Sequence, residues 1–259
     1  MTAGERARIA GAGFVTGLAG GLFGVGGGII LVPMLTGVFR VSQHEAHGTS
    51  LAVVCATAIS GVIVYALHGH VAWLAAVPMA LASVFTAPLG ARWAARTSRR
   101  GLMRAFAVFV LLTALRLLWK PPAAATAPLF AGAAGFAIAF ALGAVVGLLA
   151  GFLGVGGGIL VVPALTLLFG VPQQTAQGTS LALMLATAPS GALEHHRHGN
   201  VVLRLLPLLA LGAVAGAPLA SLLAQRLPQA MLVRAFALFL VANAIQTWVR
   251  AVRAPATAR

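Results

Sequence analysis

Apolar residues fall in long blocks that are hydrophobic all round rather than on one face, separated by short stretches rich in Arg, His and Gly. A helix with no polar face belongs in lipid or in a deep core. Six blocks, about 46–67, 71–91, 102–119, 176–193, 201–223 and 231–249, have the length of roughly 20 residues that a hydrocarbon layer demands. Each is predicted to be a membrane-spanning helix. The segment Ile9 to Phe39 differs: a straight helix of that length would reach about 46 Å, well beyond a layer of roughly 30 Å. At its middle stands GVGGG, whose glycines each cost about 1 kcal/mol against Ala in a helix, so the helix is predicted to break there.

The chain overlays itself when shifted by 130 positions. GLAGGLFGVGGGIILVPMLTGVF from Gly17 meets GLLAGFLGVGGGILVVPALTLLF from Gly147, and GTSLA from Gly48 meets GTSLA from Gly178. Gln43 falls on Gln173, His68-Gly69 on His198-Gly199, and RAFA at Arg104 on RAFA at Arg234. The expected fold is therefore an all-α polytopic membrane protein of two homologous four-segment repeats, about eight hydrophobic segments in all. Each repeat opens with a Gly-broken or re-entrant helix. Residues 1–120 form the first repeat and 121–259 the second, joined through KPPAAATAP into one transport domain.

Composition narrows the class. Apolar residues make up 60% of the 259 and charged ones 8%, with a mean hydropathy of +1.00, and no charged residue occurs from Pro121 to Leu193. A water-soluble fold is excluded. The formal charge of +14 does not point to nucleic acid, because the basic residues sit in short clusters between spans, as in cytoplasmic loops. Their distribution also bears on topology. If each Gly-broken segment crosses once, nine Lys and Arg fall on the N-terminal side and eight opposite; if it re-enters, the division is thirteen to four. The second division carries the expected bias and places both termini in the cytoplasm. Three crossings per repeat then invert one half relative to the other. The room from Leu129 to Leu153 for a full-length helix before the second glycine run is the feature that favours a plain crossing. The N-terminal Arg6 and Arg8 imitate a signal peptide, but the segment recurs internally and is expected to be retained.

Irregular backbone at membrane depth is tolerated only where protein or a wet cavity surrounds it. The amides of Gly26, Gly27, Gly28 and Gly156, Gly157, Gly158 are thus candidate anion donors at half-helix N-termini. Close helix packing through small residues is the competing reading. A second candidate set is Gln43, Thr49 and Ser50 with Gln173, Thr179 and Ser180, neutral donors suited to an oxoanion, or else ordinary interhelical bonding. Pro33 and Pro163 shape the half-helices. Three acidic residues exist, Glu5, Glu45 and Glu194, so paired-carboxylate catalysis is not expected. Glu45 with His47, and Glu194 with His195 and His198, are candidates for proton coupling, weighed against a role as plain loop residues. No metal site and no cofactor is expected; Cys55 stands alone in an apolar run.

GGLFGVGGGIILVPML with HGTSLA, repeated as AGFLGVGGGILVVPALT with QGTSLA, resembles the sulfite exporter TauE/SafE family over essentially the whole chain. The resemblance implies a bacterial inner-membrane transporter of sulfur-containing anions such as sulfite, sulfoacetate or other sulfonates, directed outward. An anion channel, or a permease for another small organic anion, remains the alternative. The partners expected are a small anion, protons and the bilayer, with no signal for oligomeric state. The halves depart from each other where Glu45 and His47 become Thr175 and Gln177, and where Val64 and Tyr65 become Glu194 and His195.

Overall fold

The computed structural model describes residues 1–94, 99–119, 132–153 and 157–253, which are helical with no strand among them. The helices are α1 (Ala3–Phe23), α2 (Gly28–Gly37), α3 (Gln43–Leu67), α4 (Trp73–Ala94) and α5 (Arg99–Trp119). They continue with α6 (Gly132–Leu153), α7 (Gly158–Pro163, extended by a π-helical turn to Leu168), α8 (Gln173–Arg197), α9 (Leu206–Arg226) and α10 (Gln229–Arg253). Of these, α3, α4, α6, α9 and α10 are long and apolar enough to cross a membrane.

Local chemistry sets the ends. Thr2 caps α1 by accepting from the Glu5 amide at 3.2 Å. At α3 the Ser42 hydroxyl accepts from the Glu45 amide at 3.3 Å while the Glu45 carboxylate accepts from the Ser42 amide at 3.2 Å, a complete capping box. The first helix stops at Gly24, whose φ of 67° starts the break.

Helices of one half pack mainly on helices of the other. A β-carbon on Gly17 would stand 2.4 Å from the Ala213 carbonyl oxygen, so α1 and α9 meet backbone to backbone. The equivalent pair 130 positions along does the same: a β-carbon on Gly147 would stand 2.4 Å from the Ser83 Cα, joining α6 to α4. In the rows before each break, glycine serves close helix packing. Between α3 and α8, Gly48 near the start of one lies against His195 and Asn200 at the end of the other, and Gly178 lies against Tyr65 and His70. The two equivalent helices therefore run antiparallel. Arg104 of α5 stacks on Trp248 of α10, 5.9 Å from the ring centroid.

No Glu, Lys, Arg or His side chain is fully buried among the described residues, whereas large apolar ones such as Phe85, Leu211 and Leu238 face outward. That inversion of the soluble pattern suits a surface solvated by lipid.

Candidate functional site

After Phe23 the chain turns back on α1. A β-carbon on Gly20 would be 2.8 Å from the Gly26 carbonyl carbon, and one on Gly27 would be 2.3 Å from the Thr16 carbonyl oxygen. Gly24, Gly26 and Gly27 all take positive φ, of 67°, 71° and 78°, and Gly157 matches Gly27 at 80°. Gly157 likewise lies beside Val146 and Ala150, the counterparts of Thr16 and Gly20. Gly156 lies outside the described residues.

The two breaks adjoin. A β-carbon on Gly158 would be 2.8 Å from the Val25 Cα and 2.9 Å from the Gly24 carbonyl oxygen, and the Met184 side chain reaches both Gly26 and Gly158. Here the backbone is under-bonded. Among the described residues, the amides of Val25, Gly26, Gly27, Gly28 and Ile29, and of Gly157, Gly158 and Ile159, find no protein acceptor, while the amides that follow close onto the Gly27 and Gly157 carbonyls. All but Gly28 belong to buried residues. More than nine in ten buried amides are bonded in folded proteins, so seven open buried ones at one junction, some of them the free donors of a first helical turn, leave room for an acceptor.

The serines of the GTS motifs face the same junction with their protons turned to the backbone. Ser180 Oγ donates to the Gly24 carbonyl at 2.7 Å and Ser50 Oγ to the Gly28 carbonyl at 3.4 Å. Each bond quenches a carbonyl that would repel an anion. The threonines act elsewhere: Thr49 Oγ1 accepts the Val202 amide and Thr179 Oγ1 accepts the Ala72 amide, both at 2.9 Å. Gln43 Nε2 lies 2.9 Å from His47 Nε2, half-buried, whereas Gln173 is fully buried with neither amide atom bonded.

Three contributors escaped sequence reasoning. Gln177 is fully buried, its Cα against Gly24 and its Nε2 without a partner. Its Oε1 lies 3.0 Å from Tyr65 Oη, which is also 2.9 Å from the Gly21 carbonyl; one hydroxyl proton serves one of them at a time. Ser221 Oγ also donates to the Gly21 carbonyl, at 3.4 Å. The sequence signal for Tyr65 and Gln177 was their departure from the repeat.

The candidate proton groups lie at the paired ends of α3 and α8. Glu194 is exposed, 3.1 Å from His198 Nε2 and 3.6 Å from Arg197. His195 is half-buried against Gly48 with Nδ1 unbonded. Burial, then the nearby His44 and His198, push its pKa below the ordinary histidine value, and Glu194 opposes them. Glu45 is held in its capping box. No cluster of metal-ligating residues occurs among the described residues. Two open recesses, about 370 Å³ between α4 and α8 and about 470 Å³ between α1 and α9, are lined almost wholly by apolar side chains and lie on the outer face.

Comparisons with known proteins agree on the class. The family profile described as Sulfite exporter TauE/SafE matches residues 2–117 and 138–259. A "Probable membrane transporter protein" of Xylella fastidiosa (strain 9a5c) is 32% identical over 239 residues, covering 91% of this chain and 92% of its own. The "Probable membrane transporter protein YunE" of Bacillus subtilis (strain 168) is 30% identical over 215 residues, covering 73% and 77%. No solved structure matches.

Proposed function

The chain belongs to the sulfite exporter TauE/SafE family of membrane transporters, and from that premise we propose that it exports a small sulfur-containing anion, sulfite or an organosulfonate, through a single site where the two glycine breaks meet. The observation that carries this reading is the set of eight amides with no protein acceptor among the described residues, five after Phe23 and three from Gly157, at one junction. Half-helix N-termini bring partial positive charge to such a place, and fixed dipoles bind an anion without a counter-ion that would hold it too long. Gly26, Gly27, Gly28, Gly157 and Gly158 supply the direct donors, with Gly156 as the equivalent of Gly26. Ser50 and Ser180 occupy the Gly28 and Gly24 carbonyls, Gln173 offers a fully buried, unbonded amide, and Thr49, Thr179 and Gln43 hold the frame.

The proposed architecture is a pair of inverted repeats in a bacterial inner membrane, with both termini cytoplasmic. The antiparallel course of α3 and α8 supports it, since equivalent helices of a parallel duplication would run the same way. Transport draws on the proton gradient through the groups around the α3–α8 ends: His47 and His195, with Glu45, Glu194 and His198 outside them.

Purified protein in liposomes tests the whole. Sulfite or methanesulfonate should be taken up against its gradient when a pH difference is imposed, and Gly157→Val should abolish uptake per folded molecule. Flux that only follows the anion gradient would favour a channel, and normal flux in Gly157→Val would remove the site.

A further inference from the structure

On the reading of the chain as a transporter of inverted repeats, and whatever the glycine breaks bind, we infer that Tyr65 and Gln177 are the closed gate at one end of the α3–α8 seam. His195 and His47, at the equivalent positions, flank the opposite end, which stands open in this structure.

The two ends share one backbone arrangement. A β-carbon on Gly178 would stand 2.7 Å from Tyr65 Cβ, and one on Gly48 would stand 2.8 Å from His195 Cβ. Burial separates them. Tyr65, Gln173 and Gln177 are each 0% exposed, whereas Gln43, His47 and His195 are half-buried. Gln43 and Gln173 are the same residue at the same place in the repeat, so the difference between them is one of conformation and not of side-chain type. One end is sealed and the other is reached by water. Equivalent halves held in unequal states are what alternation between two sides of a membrane requires.

The sealed end is a tie across three helices. Tyr65 Oη, from α3, lies 3.0 Å from Gln177 Oε1 of α8 and 2.9 Å from the Gly21 carbonyl of α1. A β-carbon on Gly24 would stand 2.6 Å from Gln177 Cα, so the tie rests against the first glycine break. Gln173 lies one turn before Gln177 on the same face of α8. Outside the tie, His70 in the loop after α3 bonds to Gln225 near the end of α9.

This end also holds buried polar atoms that the closed state leaves unbonded: both amide atoms of Gln173, and the Nε2 of Gln177 and of Gln225. Each has lost its hydration for no return. Water entering here would satisfy all four, so the bonds of Tyr65 hold shut an end that is otherwise ready to open. At the other end the Gln43 Nε2 donates to His47 Nε2 at 2.9 Å, and neither side chain is fully buried.

The test uses the full chain with Cys55→Ala, in sealed right-side-out and inside-out membrane vesicles, and a membrane-impermeant methanethiosulfonate reagent. Gln43→Cys should react from one side, and Gln173→Cys should react at least about tenfold more slowly from either side. Adding Tyr65→Phe removes the hydroxyl and leaves Gln177 Oε1 without it. Gln173→Cys should then react about tenfold faster than before, and only from the side opposite to the one that serves Gln43→Cys. A merely structural role for the hydroxyl would lower the melting temperature without this one-sided gain. Gln177→Met, which removes the other partner of the tie, repeats the measurement should Tyr65→Phe fail to fold. Equal reactivity of Gln43→Cys and Gln173→Cys before either gate change, or no acceleration in a folded gate variant, would overturn the gate. Acceleration from the side that serves Gln43→Cys would instead discard the inverted arrangement, and with it the placing of the two gates on opposite sides.

Discussion

Thr49 accepts a hydrogen bond from the Val202 amide across 153 positions of sequence, at 2.9 Å, and Thr179 repeats the bond on Ala72 at the same length. Each threonine sits fully buried in one half and holds the chain entering the next-to-last helix of the other half. The pair acts as a reciprocal clamp.

Thr49→Val and Thr179→Val keep the shape and leave the amide without an acceptor, so each should lower stability by about 1–3 kcal/mol. Flux per folded molecule should fall far less than abundance. Thermal melting together with initial rates in liposomes checks this; a large loss of anion affinity at full stability would instead make the hydroxyls ligands.

The two glycine breaks should respond differently to alanine. Gly27 and Gly157 both have positive φ, which strains any L side chain by about 1–2 kcal/mol. At Gly27 the new methyl also meets the Thr16 carbonyl oxygen at 2.3 Å, while at Gly157 its nearest neighbour among the described residues is the Ala150 methyl at 3.5 Å. Gly27→Ala is expected to accumulate poorly. Gly157→Ala is expected to fold and to lose anion affinity, and its yield and binding isotherm give the comparison directly.

Sequence disclosed the breaks but not the division of labour among glycines. Gly13, Gly17 and Gly21 recur every four residues and press on the α9 backbone, whereas Gly24, Gly26 and Gly27 turn the chain. Composition marks both sets equally. The 130-residue offset made the pairing of Gly17 with Gly147 and of Thr49 with Thr179 legible. What no period in one chain can reveal is which half touches which: Ser180 reaches Gly24 across 156 positions and Tyr65 reaches Gln177 across 112. The GTS hydroxyls were legible as polar groups at depth. Their direction, toward carbonyls or toward the opposite loop, depends on antiparallel packing of α3 and α8, which lies outside local pattern.

Ser180→Ala removes the 2.7 Å bond to the Gly24 carbonyl and leaves that oxygen beside Gly158 with its partial negative charge exposed to the site. Anion affinity should drop by about tenfold, the equivalent of about 1.4 kcal/mol, with a smaller change in melting temperature. Ser50→Ala, losing a longer bond of 3.4 Å, should show the same effect more weakly. Calorimetric titration of both variants ranks them; equal affinities to the parent protein would mean that neither carbonyl faces the ligand.

His195 makes a signed prediction for stability. Its pKa is lowered in the folded protein, chiefly by burial, so the unfolded chain binds the proton more readily. As pH falls through the ordinary histidine range, the folded state therefore loses stability, and above that range the effect vanishes. His195→Gln should flatten that acid-side loss. Melting temperature followed against pH, with Glu194→Gln as the opposing control, checks the sign: removal of Glu194 takes away a charge that favours protonation and should steepen the loss.

His68 and His198 occupy equivalent positions 130 residues apart, each directly after the equivalent antiparallel helices α3 and α8, and both are exposed. In a parallel duplication they would share one side of the membrane; in inverted repeats they stand on opposite sides. Under the proposed topology, with cytoplasmic termini, the loop at His68 would be periplasmic and the loop at His198 cytoplasmic, the arrangement that the thirteen-to-four division of Lys and Arg favours. In a Cys55→Ala background, His68→Cys should react with a membrane-impermeant maleimide in cells whose outer barrier has been opened. His198→Cys, and Ser98→Cys in the Arg-rich stretch, should react only after the inner membrane is lysed. Equal labelling of His68→Cys and His198→Cys before lysis would place both loops outside, remove the inversion, and leave the two glycine breaks entering the membrane from the same side.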